Sequence, residues 1–191
     1  LKGVRYRDIF NYCWHYWRRQ PVMGLAIVGL MATATITDVF IPVYTGKIID
    51  ALVSVDADRE ARFMSALGYL VVFGSLSLAY NVLHFSAFWL WAKFAVQKLH
   101  DIVTEATKKV TRFSADWHAN SFAGGTVRKI TRGMWSFDVL EDTLFYGIFP
   151  ALLIMTGMTV VLVNIIPVVG IYAGVMALVY TGFSIITSVK I

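Results

Sequence analysis

Four long apolar stretches dominate the pattern of the chain. A short polar segment separates the first two, a long polar segment separates the second from the third, and only Pro167 separates the third from the fourth. The four stretches run over about 22–45, 63–91, 144–166 and 168–189. A helix crosses a hydrocarbon core of about 30 Å with about 20 residues, and each stretch is long enough. Strands of a membrane β-barrel would be short and would alternate between apolar and polar positions, which these stretches do not. The pattern predicts an all-α integral membrane protein with four spans.

The first 20 residues follow another pattern, in which apolar and polar positions recur at helical spacing. One face carries Tyr6, Ile9, Phe10, Cys13, Trp14 and Trp17, and the other carries Arg7, Asp8, Asn11, His15 and Arg18. An amphipathic, aromatic and basic helix of this kind lies in the membrane interface. Pro21 then permits a sharp turn into the first span. We predict an interfacial elbow helix over 1–20 and a transmembrane domain over 21–191.

Two of the predicted helices are longer than a membrane requires. From 61 to 112 the chain has 52 residues without a proline, which make a helix of about 78 Å. From 121 to 166 it has 46 residues, or about 69 Å, interrupted by Pro150. Both helices are therefore expected to project from the same side of the membrane by about 35–40 Å. They form a predicted hairpin over about 92–143, and its tip is the stretch ADWHANSFAGG.

Composition and charge placement agree with a membrane protein and predict its orientation. The chain is 58% apolar and 15% charged, against about half and about a quarter in soluble domains. Fourteen of the 17 Lys and Arg residues lie before the first span, in the hairpin or at position 190. Basic residues are retained on the cytoplasmic side, so the N-terminus and the hairpin are predicted to be cytoplasmic. This placement, rather than nucleic-acid binding, explains the net charge of +5. A single cysteine, Cys13, excludes an internal disulfide framework.

The tip combines residue types that four kinds of site use. The sequence GGTVRK lacks the phosphate-binding pattern GxxxxGK[ST] after a strand, and no HxxxH or HExxH spacing supports a metal site. Ser114 and Ser121 lie at turns, where they are expected to cap helices rather than act as nucleophiles. We therefore predict a short helix that docks a partner through Trp117, His118 and Phe122. Gly124 and Gly125 then allow the chain to enter the return helix.

Polar residues within the spans are candidates for a cavity or substrate site. Asp38 lies in the first span, and Asn81 and His84 lie in the second. Such residues face a bundle interior or an aqueous cavity, where they contact substrate, relay protons or fix helix packing. On the hairpin, Arg128, Arg132 and Trp135 are suited to anionic or amphipathic cargo. The alternative there is ion pairing along the shaft, because a turn near His118 places Glu105 opposite Arg132 and Lys98 opposite Asp138.

Several motifs, taken in order, resemble a known family. The first span ends IPVYTGKIIDAL, in which Pro42, Gly46, Ile49 and Asp50 match a P-x-x-x-G-x-x-I-D-like pattern, and the tip is followed by FAGGTVRKITRGMWSFD, with a matching later acid at Asp138. With the elbow and the long helices, these features resemble the N-terminal part of the transmembrane domain of a type I ABC exporter, in the multidrug and lipid-flippase branch. The resemblance implies that the tip is a coupling helix formed by Asp116, Trp117, His118, Ala119 and Asn120.

The same resemblance implies a larger protein. The complete subunit would have six spans and a nucleotide-binding domain that binds ATP and Mg, and two such subunits would form a homodimer or heterodimer. Its location would be the bacterial inner membrane. Because the sequence holds no Walker or signature motif, we expect a fragment with no cofactor of its own, and any ATP hydrolysis would belong to the parent protein. Two other functions stay open: a four-helix membrane scaffold that docks a soluble partner, and an ion or proton conductor that uses Asp38 and His84.

Overall fold

The computed structural model describes residues 5–54, 58–120 and 123–189, and every regular element within these ranges is helical. The elements in chain order are α1 (Tyr6–Trp17), α2 (Pro21–Val53), α3 (Arg59–Thr111), α4 (Ala115–Asn120), α5 (Ala123–Asp142), a π-helical turn (Thr143–Ile148), α6 (Phe149–Ile165) and α7 (Pro167–Val189). The prediction of an all-α fold is confirmed. The chain divides into two compact units, the first comprising Leu1–Leu30 and Phe85–Gly147 and the second Met31–His84 and Ile148–Ile191.

Four helical segments are long and apolar enough to cross a membrane: Pro21–Val53, Arg59–Thr111, Gly124–Ile165 and Pro167–Thr187. Their apolar side chains are largely exposed, as Val168 at 79% and Tyr180 at 74% illustrate. Apolar surface of this extent is covered by lipid or protein rather than by water. The four predicted spans are thus confirmed as helices that can span a bilayer, in a protein of the integral membrane class.

α2 is a single helix that begins at a proline and continues through another. Pro21 occupies the first helical position, where its missing N–H is no loss. Pro42 lies within the helix, where it removes one backbone hydrogen bond. The Thr35 and Thr45 hydroxyls donate to the carbonyls four residues before them, at 2.8 and 3.1 Å. These two hydroxyls are thereby satisfied within the helix itself, as an apolar surrounding requires.

The predicted third long helix contains an irregularity that its sequence pattern does not show. α5 and α6 are joined by the π-helical turn Thr143–Ile148, and Pro150 follows within the first turn of α6. Proline cannot donate to the carbonyl four residues before it and disrupts the preceding turn. The wider π-helical hydrogen-bond pattern just before Pro150 takes up this disruption. The sequence places the interruption at Pro150, and the structure places the change of helical geometry in the residues just before it.

Small residues bring the helices of the second unit close together. α6 and α7 form an antiparallel hairpin whose connection is the single residue Ile166. Gly170 faces the backbone of the Leu162–Val163 peptide, and a Cβ atom at Gly174 would lie 2.9 Å from the Thr159 methyl carbon. Close backbone approach at small residues is how transmembrane helices gain packing energy. The hairpin is therefore held mainly by shape rather than by polar bonds.

Candidate functional site

The tip is the six-residue helix α4, and a serine caps it. The Ser114 hydroxyl oxygen accepts a hydrogen bond from the backbone N–H of Trp117 at 3.2 Å, which satisfies one of the free donors at a helix N-terminus. The Phe113 and Trp117 ring centroids lie 4.6 Å apart, and Phe113 remains 47% exposed. The cap that the sequence predicted at Ser114 is confirmed. The tip therefore presents a paired aromatic surface instead of Trp117 alone.

Most of the other predicted tip residues lie in α4 or in the first turn of α5. Asp116 is exposed at the start of α4. His118, Ala119 and Asn120 belong to α4, but their side chains lie outside the described part of the structure, as do residues 121 and 122. Gly124 and Gly125 lie in the first turn of α5 and have helical backbone, so their hinge role stays a prediction. Within the described ranges, no group of three or more His, Cys, Asp or Glu side chains is placed to hold a metal ion.

Behind the tip, the first unit contains a buried polar cluster that we call the clasp: Trp17, Lys98 and Glu141. The Lys98 ammonium lies 2.5 Å from Glu141 Oε1, and the Trp17 indole N–H donates to the same oxygen. Their charged side chains are almost fully enclosed, at 4% exposure for Lys98 and 0% for Glu141. One carboxylate therefore connects α1, α3 and α5.

Aromatic rings surround the ammonium group of the clasp. Lys98 Nζ lies 3.9 Å from the centroid of the Phe94 ring and 4.7 Å from that of the Trp91 ring. Cation–π attraction of this kind is strongest where water is excluded, and it offsets part of the cost of burying the charge. Glu141 Oε2 is buried and receives no hydrogen bond in the described part of the chain. Because burying charge is costly, the clasp fixes one arrangement of the three helices more than it adds to stability.

A second, exposed polar network lies around the end of α1, and we call it the rim. Arg19 lies 2.5 Å from Glu105 and 3.5 Å from Asp101, and it contacts His15 at 2.8 Å. The Tyr16 hydroxyl donates to Glu105 at 2.9 Å. Burial, followed by the hydrogen bonds with Tyr12 and Glu105, raises the pKa of Tyr16. Exposed ion pairs contribute little stability, so the rim orients α1 rather than holding it.

The observed pairs differ from those predicted along the shaft. Lys98 pairs with Glu141, one helical turn beyond Asp138, and Glu105 pairs with Arg19 rather than with Arg132. The predicted pairs took into account only the two helices of the hairpin, whereas α1 also packs against α3 and α5. Arg128, Arg132 and Trp135 are all exposed. Their assignment to cargo therefore stays a prediction.

The clasp and the rim are the feature that sequence reasoning missed. Trp17 and Arg19 were assigned to a helix in the membrane interface, and Lys98 to the shaft. The signal was present in Cys13, Tyr16 and Trp17, which form one apolar stripe on α1. Cys13 and Tyr16 are buried with Ile102 and Phe137. Part of the apolar face of α1 that was predicted to contact lipid therefore packs against α3 and α5.

The polar residues of the second unit bond mainly within their own helices. The Asn81 amide donates to the Ser77 carbonyl at 2.7 Å, and the His84 ring lies 5.5 Å from the Tyr80 ring. Asp38 is half-buried, and among the described residues its carboxylate has no hydrogen-bond donor or cation. The structure does not bring Asp38, Asn81 and His84 together by any contact that it describes. Their assignment to a cavity or substrate site therefore stays a prediction.

The fold and the clasp together define a class: an all-helical membrane protein in which a short amphipathic helix is fastened to a pair of long helices that meet at a capped tip. Comparisons of the chain with protein-family models, with curated proteins and with solved structures find no match. The function must therefore be argued from the helices and the polar residues themselves.

Proposed function

We propose that this chain is the permease portion of an ATP-driven type I ABC exporter, which moves a lipid, a drug or another amphipathic solute by alternating access. In this proposal α4 is the coupling helix, and it docks a nucleotide-binding domain of the same or a separate polypeptide. The observation that carries the proposal is the capped six-residue helix between α3 and α5, with the contact of the exposed Phe113 ring and the half-buried Trp117 ring at its start. An aromatic pair with accessible ring surface at the start of a short helix is suited to a pocket of a protein partner.

The lengths of the flanking helices support this proposal. α3 has 53 residues, or about 80 Å, whereas the hydrocarbon core is about 30 Å thick. Its apolar stretch lies in its first part, so the excess length lies on the side of α4. The surplus on α5 lies on the same side, because α5 precedes the apolar residues of α6. A tip outside the bilayer, on the side rich in Lys and Arg, is where a soluble ATPase domain would bind.

The clasp gives this tip a mechanical connection to the membrane. In the proposal, movement of α4 is transmitted through α3 and α5, which Glu141 fastens to each other and to α1 through Lys98 and Trp17. A buried pair resists sliding of the helices because displacement would separate two desolvated charges. The helices would therefore move as one body when a nucleotide-binding domain moves the tip. ATP and Mg would bind in that domain, and no cofactor is assigned to this chain.

The test is the variant Trp117→Ala in the intact transporter, together with its nucleotide-binding domain and in lipid bilayers. Loss of an aromatic docking residue should reduce the amount transported per ATP hydrolysed by about tenfold or more, while the protein remains inserted. The control is Trp89→Ala, which removes an exposed tryptophan far from the tip. Lipids, peptides and drugs that stimulate ATP hydrolysis would identify the cargo class and supply the transport assay.

Two results would contradict the proposal. An unchanged ratio of transport to ATP hydrolysis in Trp117→Ala would show that the tip does not couple the two. Currents that need no ATP and disappear in Asp38→Asn would instead support an ion or proton conductor. Binding of a soluble protein that is not an ATPase, abolished by Trp117→Ala, would support the scaffold.

A further inference from the structure

An apolar groove lies in the first unit where α1 meets the first turns of α2. Its volume is about 300 Å³, at the lower end of the range for ligand pockets. Trp14 and Trp17 of α1, Pro21 and Leu25 of α2, and Phe94 and Phe145 form most of its walls. Tryptophan is enriched where hydrocarbon meets the headgroups of a membrane, and the first apolar stretch begins here. The groove thus lies at the depth where the glycerol end of an acyl chain is found.

One cation lines this groove, and none of the described carboxylates forms an ion pair with it. Arg18 borders the groove and is exposed. Its neighbour Arg19 is bound to Glu105 and Asp101, whereas in the described part of the chain Arg18 has no ion pair with a carboxylate. An arginine binds phosphate oxygens through two parallel N–H donors. The groove therefore combines apolar walls with one available guanidinium group at its border.

We propose that this groove binds one acyl chain of an anionic phospholipid and that Arg18 pairs with the phosphate of the same molecule. The charge selects the lipid class, because an anionic headgroup such as phosphatidylglycerol keeps a net negative charge that a zwitterionic headgroup lacks. The proposal does not depend on ATP-driven transport. A lipid in this position would fill the space between α1 and α2, next to the indole of the clasp residue Trp17.

Gly24 makes the groove testable without damage to the helix. It borders the groove, and a Cβ atom there would meet only Phe94 Cζ, at an ordinary contact distance of 3.8 Å. A leucine at Gly24 would therefore fit its first carbon and extend into the groove. Gly29 is a matched control on the same helix, because a Cβ atom there has no atom within 4 Å. Leucine is a better helix former than glycine at either position, so neither change should weaken α2.

The experiment measures which phospholipid the chain retains. The full chain is reconstituted in vesicles of equal parts phosphatidylglycerol and phosphatidylcholine, extracted in mild detergent, and its bound lipid is quantified by mass spectrometry. The wild type should retain phosphatidylglycerol over phosphatidylcholine by about fivefold. Gly24→Leu should lose the retained lipid, and Gly29→Leu should keep it. Arg18→Gln should lose the preference for phosphatidylglycerol, and Arg7→Gln, an exposed arginine elsewhere on α1, should keep it.

Each other outcome overturns the proposal. Equal retention in Gly24→Leu and Gly29→Leu would show that the groove is not the binding site. Equal retention of the two phospholipids by the wild type, or displacement of both by the detergent, would show that an uncharged occupant fits as well. Loss of the preference in Arg7→Gln and Arg18→Gln alike would assign it to the general charge of α1. The folding of each variant is checked by the protection of Cys13, which is buried where α1 docks.

Discussion

Loss of one charged partner of the clasp should weaken the docking of α1 more than loss of an exposed ion pair, and two substitutions separate the parts of the clasp. Lys98→Met removes the cation and keeps an unbranched side chain of similar length. Glu141→Gln removes the charge and keeps an oxygen that can accept the Trp17 indole N–H. Each single variant leaves one buried charge without its counter-ion. The double variant leaves none.

The burial of both partners sets the magnitude. At 4% and 0% exposure, solvent screens neither charge, and loss of one partner of such a pair costs about 3–5 kcal/mol. The double variant should lose only about 1–3 kcal/mol, because the second polar atom of the new amide lies where Glu141 Oε2 has no partner. We therefore expect the double variant to be more stable than either single variant. The exposed pair Arg19–Asp101 provides a control, since Asp101→Asn should cost less than about 1 kcal/mol.

The assay uses the single cysteine of the chain. Cys13 is 2% exposed in the contact of α1 with Ile102 and Phe137, so a maleimide can reach it only when α1 opens. The labelling rate then reports the free energy of local opening. A loss of about 3 kcal/mol raises this rate about 150-fold, unless the rate of a free thiol is reached first. Labelling of the double variant as fast as that of both single variants, or no acceleration in either, would refute the reasoning.

Two further predictions concern the same thiol and the α6–α7 hairpin. Burial, followed by the Glu141 charge, raises the pKa of Cys13 above its ordinary value of 9.0. Docking of α1 should therefore be fully stable below pH 9 and weaken above it. Below pH 9 the labelling rate should rise in parallel with that of a free thiol, because both follow the thiolate fraction, and above pH 9 it should continue to rise after the rate of the free thiol has levelled off. Gly170→Ala should destabilise the α6–α7 hairpin by about 1–3 kcal/mol, because the added methyl group would meet the backbone of Val163. The control Gly182→Ala adds a methyl group in open space and should leave the thermal stability in detergent unchanged. Equal melting temperatures of the two variants would contradict the close contact at Gly170.

Much of the fold could be predicted because membrane helices are encoded by local pattern. An apolar stretch of 20 or more residues has few alternatives in a bilayer, where each backbone group must be bonded within its own segment. The cap at Ser114 is equally local, since it needs only a hydroxyl at a turn before a helix. The π-helical turn Thr143–Ile148 could not be predicted, because α and π turns differ by one residue in a hydrogen-bond pattern that apolar residues do not distinguish.

The clasp escaped prediction for a different reason. Its three residues lie 43 and 124 positions apart in the chain, so no local spacing relates them. Facing positions on the hairpin place Lys98 near Asp138. Lys98 pairs with Glu141 instead, and the same carboxylate also accepts a hydrogen bond from the Trp17 indole N–H of a third helix, α1. The packing of α1 on the hairpin depends on tertiary contacts that the local sequence does not specify, because the sequence of α1 is equally compatible with a lipid interface.

The distribution of polar contacts differs between the two units and bears on how freely the helices within each unit can shift. In the described part of the chain, the three ion pairs all lie in the first unit. In the second unit Thr35, Asn81 and Thr159 each donate to a carbonyl of their own helix, so these bonds survive when a helix shifts against its neighbour. Contacts at small residues such as Gly157, which faces Val39, depend on shape and have no fixed polar register. The first unit is thus specified as one arrangement, whereas in the second unit these polar bonds do not fix how the helices pack against one another.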